Sequence, residues 1–288
     1  MAAAPVLVIQ NDSSDPAGPL GEWLTDAGLT LDVRNAAAGE ALPPDLGEFG
    51  GLVVLGGEFG ADDDARAPWL PAVRALLREA VSRELPTLGV CLGAQLLAVA
   101  NGGAVAPNPD GPEFGAQLIA KRAMASTDPL FGPLPITPDV IQWHFDAIVR
   151  MPPGAVQLAS SPGCDVQAFR LGRLAWGIQF HIETTPALVR AWAAGDADAL
   201  DGYDVERLLA RTDAVHADIA EVWQPFAASF AGVVAEPSAV PAPRSIPTST
   251  AAPITDPAAI RAALAAEANA ARSPGVLPMP GLRPQGHD

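Results

Sequence analysis

Cysteine is nearly absent from this chain. The two present, Cys91 and Cys164, cannot build a disulfide scaffold, so a reduced, cytoplasmic setting is the expectation. Basic residues are also scarce: 17 Lys and Arg stand against 33 Asp and Glu, a formal net charge of -16. That excess, with no local basic patch, argues against nucleic acid or an anionic membrane as a partner. No stretch reaches the roughly 18 apolar residues a membrane span needs without a charge or a breaker. The start, MAAAPVLVIQNDSSD, lacks the basic region and long apolar run of a signal peptide. CxxC and HExxH are missing and the four histidines are widely spread, which argues against a Cys/His metal site. No internal repeat and no cofactor motif stands out, so no cofactor is expected.

What is there is a sizeable core and a regular alternation. The 288 residues are 49% hydrophobic, ample for one large α/β domain with an appendage. Residues 5–10, 29–35, 51–57 and 85–90 read as strands. Helices are predicted over 19–28, from Pro68 or Pro71 to Arg83, and directly after Cys91, with Leu92, Leu96 and Leu97 on its apolar side. Apolar strands alternating with helices imply a parallel sheet covered on both faces. After Asn101 the texture becomes β-rich, with a strand predicted over 114–123, another within 139–151, and strands in AVQLASS, DVQAFRL and RLAWGIQF. Helices at 186–194 and 203–230 close a domain expected to span 1–235. Residues 236–288 are dense in Pro and Ala and read as a largely disordered tail or linker, with one helix predicted over 257–272.

The chemistry centres on Gly89-Val90-Cys91-Leu92-Gly93, a strand running into a helix through a sharp turn. Small residues two before and two after Cys91 let the backbone turn and push the side chain out, as in a nucleophile elbow. The first N–H groups of the helix then lie where an oxyanion would develop. A thiol nucleophile needs a base, and the base needs an orienter. His181 follows the apolar strand LAWGIQF, at the end of a sheet strand where active-site groups of α/β proteins collect. Glu183, two residues on, points the same way if the backbone stays extended. His216, in a long helix, and His287, in the tail, are poor candidates. Gly56-Gly57 ends another strand, and an N–H there together with that of Leu92 would make an oxyanion hole. His144 sits in an amphipathic strand, where a structural role and a pocket role are both open. Cys164, in the turn SSPGCDV, reads as incidental.

Taken together, GVCLGAQLLA, QFHIET and QWHFD resemble the signatures of the class I glutamine amidotransferases, the Cys-His-Glu glutaminases. The likeness covers roughly residues 4–195 and is nearest the stand-alone subgroup similar to the glutaminase domain of GMP synthase. It implies a three-layer α/β sandwich of flavodoxin-like type, its central sheet mostly parallel, with a small β-rich excursion. It implies Cys91 as nucleophile, His181 as base, Glu183 as orienter, and Gly57 and Leu92 as oxyanion donors. Gln95 is implied to contact bound glutamine, and His144 and Asp146 to line the pocket mouth. The implied reaction is attack on the glutamine side-chain amide, release of ammonia, and hydrolysis of a γ-glutamyl thioester.

Two positions depart from the pattern. Glu58 stands where the glycine pair is usually followed by proline, and Ile182 where F-H-x-E usually carries proline. No SGGxDS-type adenylation loop follows, so the full reaction of a GMP synthase is not expected from this chain alone. Ammonia would pass to a separate synthetase subunit. The alternative is a γ-glutamyl hydrolase acting on a conjugate by the same chemistry; a silent binding protein is the third reading, against which an intact triad argues.

Overall fold

The computed structural model describes residues 4–241, so the predicted helix 257–272 and most of the Pro/Ala-rich tail lie outside the described residues. The first half alternates as expected: β1 (Val6–Gln10), α1 (Gly18–Asp26), β2 (Leu31–Asn35), β3 (Gly51–Val54), α2 (Leu70–Ser82), β4 (Thr87–Val90) and α3 (Leu92–Ala100). A β-rich stretch follows with β5 (Ala104–Pro107), β6 (Glu113–Leu118), β7 (Ala120–Lys121), β8 (Asp139–His144) and β9 (Asp146–Arg150). Then come β10 (Val156–Ser160), β11 (Ala168–Leu171), β12 (Ala175–Ile178), α4 (Pro186–Gly195) and α5 (Val205–Ala235).

Eight strands form the central sheet in the order β2-β1-β3-β4-β12-β11-β10-β7. The pairings from β2 to β12 are parallel; those from β12 out to β7 are antiparallel. Every residue of β1, β3 and β4 is buried, as strands covered on both faces must be. Alternation along β1 divides the core: Val6 and Val8 pack with α1 and α5, whereas Leu7 and Ile9 pack with α2 and α3. The layers are thus helix, sheet, helix. No described helix is long and apolar enough to cross a membrane.

Three expectations change. The stretch 139–151 is two strands, because it breaks at Phe145: β8 pairs with β6 and β9 with β5. The break is closed locally by the His144 ring, whose Nδ1 lies 2.9 Å from the carbonyl oxygen of Asp146. The stretch 114–123 is likewise divided, β6 pairing with β8 and β7 with β10. And α3 is buried all round from Leu92 to Ala98, so it has no polar face; it is a core helix wedged against α2 and the sheet.

Candidate active site

The turn from β4 into α3 places Cys91 at φ 49° and ψ −110°, a conformation side-chain-bearing residues rarely adopt. Such a backbone costs about 1–3 kcal/mol and persists where the surroundings enforce it. They do so here through glycine. A Cβ on Gly89 would stand 2.6 Å from the carbonyl oxygen of Gly93, and one on Gly93 would stand 2.0 Å from that of Val54. The amide of Leu92, first residue of α3, has no intrahelical acceptor by position. Gly57 borders the same cavity, its Cα hydrogens against Asn11, Asp12 and Leu92.

β12 lies parallel to β4 in the sheet, and the chain leaving it brings Gln179, His181 and Glu183 to the elbow. His181 Nδ1 is 2.5 Å from Glu183 Oε1, and both side chains are buried. The other carboxylate oxygen of Glu183 accepts the N–H of Ile182 at 2.8 Å, a bond that a proline could not donate. Isoleucine at this position therefore adds a donor to the Glu183 carboxylate. Cys91 lies near enough to His181 to act on its charge, while the thiol itself donates to the Trp143 carbonyl oxygen at 3.9 Å. Burial resists charging of the imidazole, but Glu183 and Cys91 outweigh it and hold His181 well above its ordinary value. Mutual backbone bonds between His181 and Ile141 tie β8 to this strand end, which carries QWHFD to the site.

A cavity of about 520 Å³ opens over Cys91 and His181. Gln95, on α3, donates to the Asp146 carbonyl at 3.1 Å and to Gln179 at 3.2 Å, and borders this space. Asp146 lines the cavity. His144 also reaches it, yet both ring nitrogens are engaged, one with Asp146 and one with Glu113 Oε2 at 3.0 Å. Its contribution is to hold the 144–146 corner. Glu58 is two-thirds exposed and lies 3.6 Å from Arg66, so its charge is answered in solvent.

Three cavity or near-cavity residues escaped the sequence reading. Gln179 donates toward the Cys91 sulfur at 3.7 Å; its period-two spacing from His181 and Glu183 was the available signal. Trp192, on α4, packs against His181 with ring centroids 4.8 Å apart and the planes tilted by 59°. Asp15, in the loop after β1, is 2 % exposed, and neither carboxylate oxygen has a hydrogen-bond partner. A Cβ on Gly56 would meet Asp15 Oδ2 at 2.2 Å and His181 Cε1 at 3.2 Å, so the glycine makes room for both. Burial, reinforced by the nearby Glu183 charge and opposed by His181, pushes the Asp15 carboxyl up from 3.8 to about 7.

That shift predicts a pH signature. As pH climbs above 3.8, the unfolded chain ionises Asp15 while the native state does not, so native stability falls until about pH 7. Asp15→Asn removes this loss. Thermal melts should show the variant gaining on the wild type across that window, by up to about 4 kcal/mol at its upper end. Parallel pH profiles for the two proteins would refute the shift.

Two groups have the donor types of a metal site: Asp15, His181 and Glu183, and Glu113, His144 and Cys164. In the first, His181 Nδ1 is directed at Glu183. In the second, Glu113 accepts from Ser161 and Gln167 and meets His144, and burial pushes the Cys164 thiol up to about 12, away from the thiolate a metal needs. The second fits a hydrogen-bonded network better than an ion, and in the first His181 and Glu183 are engaged with each other while Asp15 has no partner. Cys164 belongs to the buried packing behind His144.

The family described as Glutamine amidotransferase class-I matches residues 25–190. The chain is 33% identical over 180 residues to the glutamine amidotransferase-like protein YfeJ of Salmonella typhimurium, covering 62% of this chain and 74% of that one. It is 30% identical over 164 residues to one subunit of the glutamine-hydrolyzing GMP synthase of Haloarcula marismortui, covering 56% of this chain and 76% of that one. It is 33% identical over 144 residues to the glutamine-hydrolyzing GMP synthase of Christiangramia forsetii, covering 49% of this chain but only 26% of that longer protein. The crystal structure of a glutamine amidotransferase from Thermotoga maritima superposes with a TM-score of 0.71 at 26% identity, over 80% of this chain and 99% of that one. One from Methylobacillus flagellatus gives the same TM-score at 28% identity, over 84% and 98%.

Proposed function

This chain belongs to the class-I glutamine amidotransferases, and we propose that its hydrolysis of glutamine runs through a γ-glutamyl thioester on Cys91. The observation that carries this is the elbow: a thiol in a strained turn, at a helix N-terminus, beside a histidine that a buried carboxylate orients.

Cys91 sulfur attacks the side-chain amide carbon. The oxyanion that forms is met by the N–H groups of Leu92 and Gly57. His181, held protonated by Glu183 and Cys91, gives its proton to the departing nitrogen, and ammonia leaves. It then takes a proton from water, which attacks the thioester and frees glutamate. Gln95 and Asp146 contact the amino-acid end of the substrate, while Gln179 fixes the resting position of the sulfur. Ammonia passes to a separate synthetase; the likeness to a GMP synthase whose glutamine-hydrolyzing enzyme is divided into subunits supports that arrangement.

Glutamate release from glutamine by the purified full chain tests the reading. Turnover that Cys91→Ala removes supports it; turnover that survives would overturn it. Glu183→Gln tests the electrostatics. Losing the negative charge lowers the affinity of His181 for its proton, so the alkaline limb of the pH profile should move to lower pH. Turnover near neutrality should also fall by ~10²–10⁴-fold, the scale seen when a triad carboxylate is neutralised. An unmoved alkaline limb would remove Glu183 from the role of orienter.

A further inference from the structure

The cavity over Cys91 is unusual in its charge. Five carboxylates line it, those of Asp12, Asp15, Glu58, Asp146 and Asp196. Among the described residues that line it there is no lysine or arginine. Glu58 is answered by Arg66 and can be set aside. Asp12 accepts from the N–H and hydroxyl of Ser14 and from the N–H of Glu58, and the remaining three are not scattered. Asp146 stands at the Gln95 end, with Oδ2 3.7 Å from a Cβ position on Gly60. Asp15 and Asp196 stand at the His181 end. Asp15 Oδ2 and His181 Cε1 converge on the same point above Gly56. Asp196 accepts the Trp143 indole N–H at 2.7 Å, and Trp143 packs 6.0 Å from Trp192, which itself covers His181.

His181 is the group that protonates the leaving nitrogen, so the His181 end is where a leaving group larger than ammonia would extend. That end offers two carboxylates and an indole face. One of those carboxylates, Asp15, is buried, borders the cavity, and has no hydrogen-bond partner on either oxygen. Ionising an acid so placed is costly, and its carboxyl is held up to about 7, unless a positive charge arrives to meet it. A cation meets it, and an indole face favours the same charge. The volume, about 520 Å³, lies in the range that holds drug-sized ligands and leaves room beyond glutamine itself.

The geometry points to a second substrate class for this cavity: γ-glutamyl amides whose leaving amine carries a further, protonated amino group, that is, γ-glutamyl monoamides of diamines. The inference rests on the reading that Cys91 forms the γ-glutamyl thioester. The chemistry balances without any co-reactant but water. The sulfur bonds the γ-carbonyl carbon, the C–N bond breaks, and His181 protonates the nitrogen of the departing diamine. Water then adds to the thioester, the C–S bond breaks, and glutamate leaves. Asp15 and Asp196 act on specificity, through the distal ammonium.

The test compares γ-glutamyl amides of one chain length that end in an ammonium, a methyl or a carboxylate, beside glutamine, using the purified full chain. kcat/KM is read from glutamate release. The ammonium-ended amide should exceed the methyl-ended one by at least about tenfold, the equivalent of one good ionic contact, with the carboxylate-ended amide lowest. The ratio should shrink in Asp15→Asn and in Asp196→Asn. General damage to His181 would slow all three amides together and leave the ratio alone. A wild-type ratio within about twofold of unity, with glutamine or the methyl-ended amide still hydrolysed, overturns this inference and leaves the glutaminase reading standing. No Cys91-dependent glutamate from any of them overturns both.

Discussion

Cys91→Ala should lower glutamine hydrolysis by at least ~10⁴-fold while leaving the fold in place, the pattern of a nucleophile that has no substitute. The structural reason to expect a clean result is that alanine fills the same elbow. The turn is enforced by the close approach of Gly89 to Gly93 and of Gly93 to Val54, and the Cys91 side chain takes no part in it. The amide of Cys91 stays bonded to the carbonyl of Ile178 at 2.8 Å whatever the side chain is. Thermal melts beside activity assays separate the two effects. Cys91→Gly adds a second reading, since glycine adopts the strained backbone freely; it should be more stable than Cys91→Ala by about 1 kcal/mol. Residual activity within about tenfold of wild type in Cys91→Ala would place the nucleophile elsewhere.

Gly93→Ala should destroy the fold. Its Cβ would stand 2.0 Å from the carbonyl oxygen of Val54 and 2.7 Å from the carbon, both backbone atoms of β3. That strand cannot withdraw, because it is hydrogen-bonded between β1 on one side and β4 on the other. The overlap must be relieved by lifting α3 off the sheet, and α3 is buried on every side. A loss above about 4 kcal/mol is expected, at the far end of what single substitutions do. Gly232→Ala, in the exposed last turn of α5 with no atom within 4 Å of the new Cβ, is the matched control. It should raise stability by about 0.5–1 kcal/mol, because alanine loses less freedom in a helix. Denaturant midpoints of the two variants decide the matter. Equal midpoints would mean that the sheet and α3 can separate at this point without penalty.

The parts of this protein that could be read from the chain alone are those whose cause is local. The elbow is one: strand, small residue, cysteine, small residue and helix are contiguous, and the steric demand they answer lies within five residues. The bracket of His181 and Glu183 is another, since an extended backbone sets side chains two apart on one side. The alternation of buried strands and helices through β4 is a third, because burial on both faces leaves its mark on every strand residue.

The tertiary structure alone decided the rest, because the deciding contacts join distant residues. The break at Phe145 follows from pairing β8 with β6 and from the bridge of Ile141 to His181, neither of which leaves a mark within 139–151. The all-round burial of α3 follows from the layers that close on it. Asp15 reads in sequence as one more acid in a polar loop. It becomes a buried, unpartnered carboxylate only when the loop after β1 packs against Glu183, where a Cβ on Gly18 would stand 2.2 Å from the Glu183 carbonyl oxygen. Burial is a property of what surrounds a residue. A chain read in one dimension carries the chemistry of its charges, and the fold determines which of them lose their water.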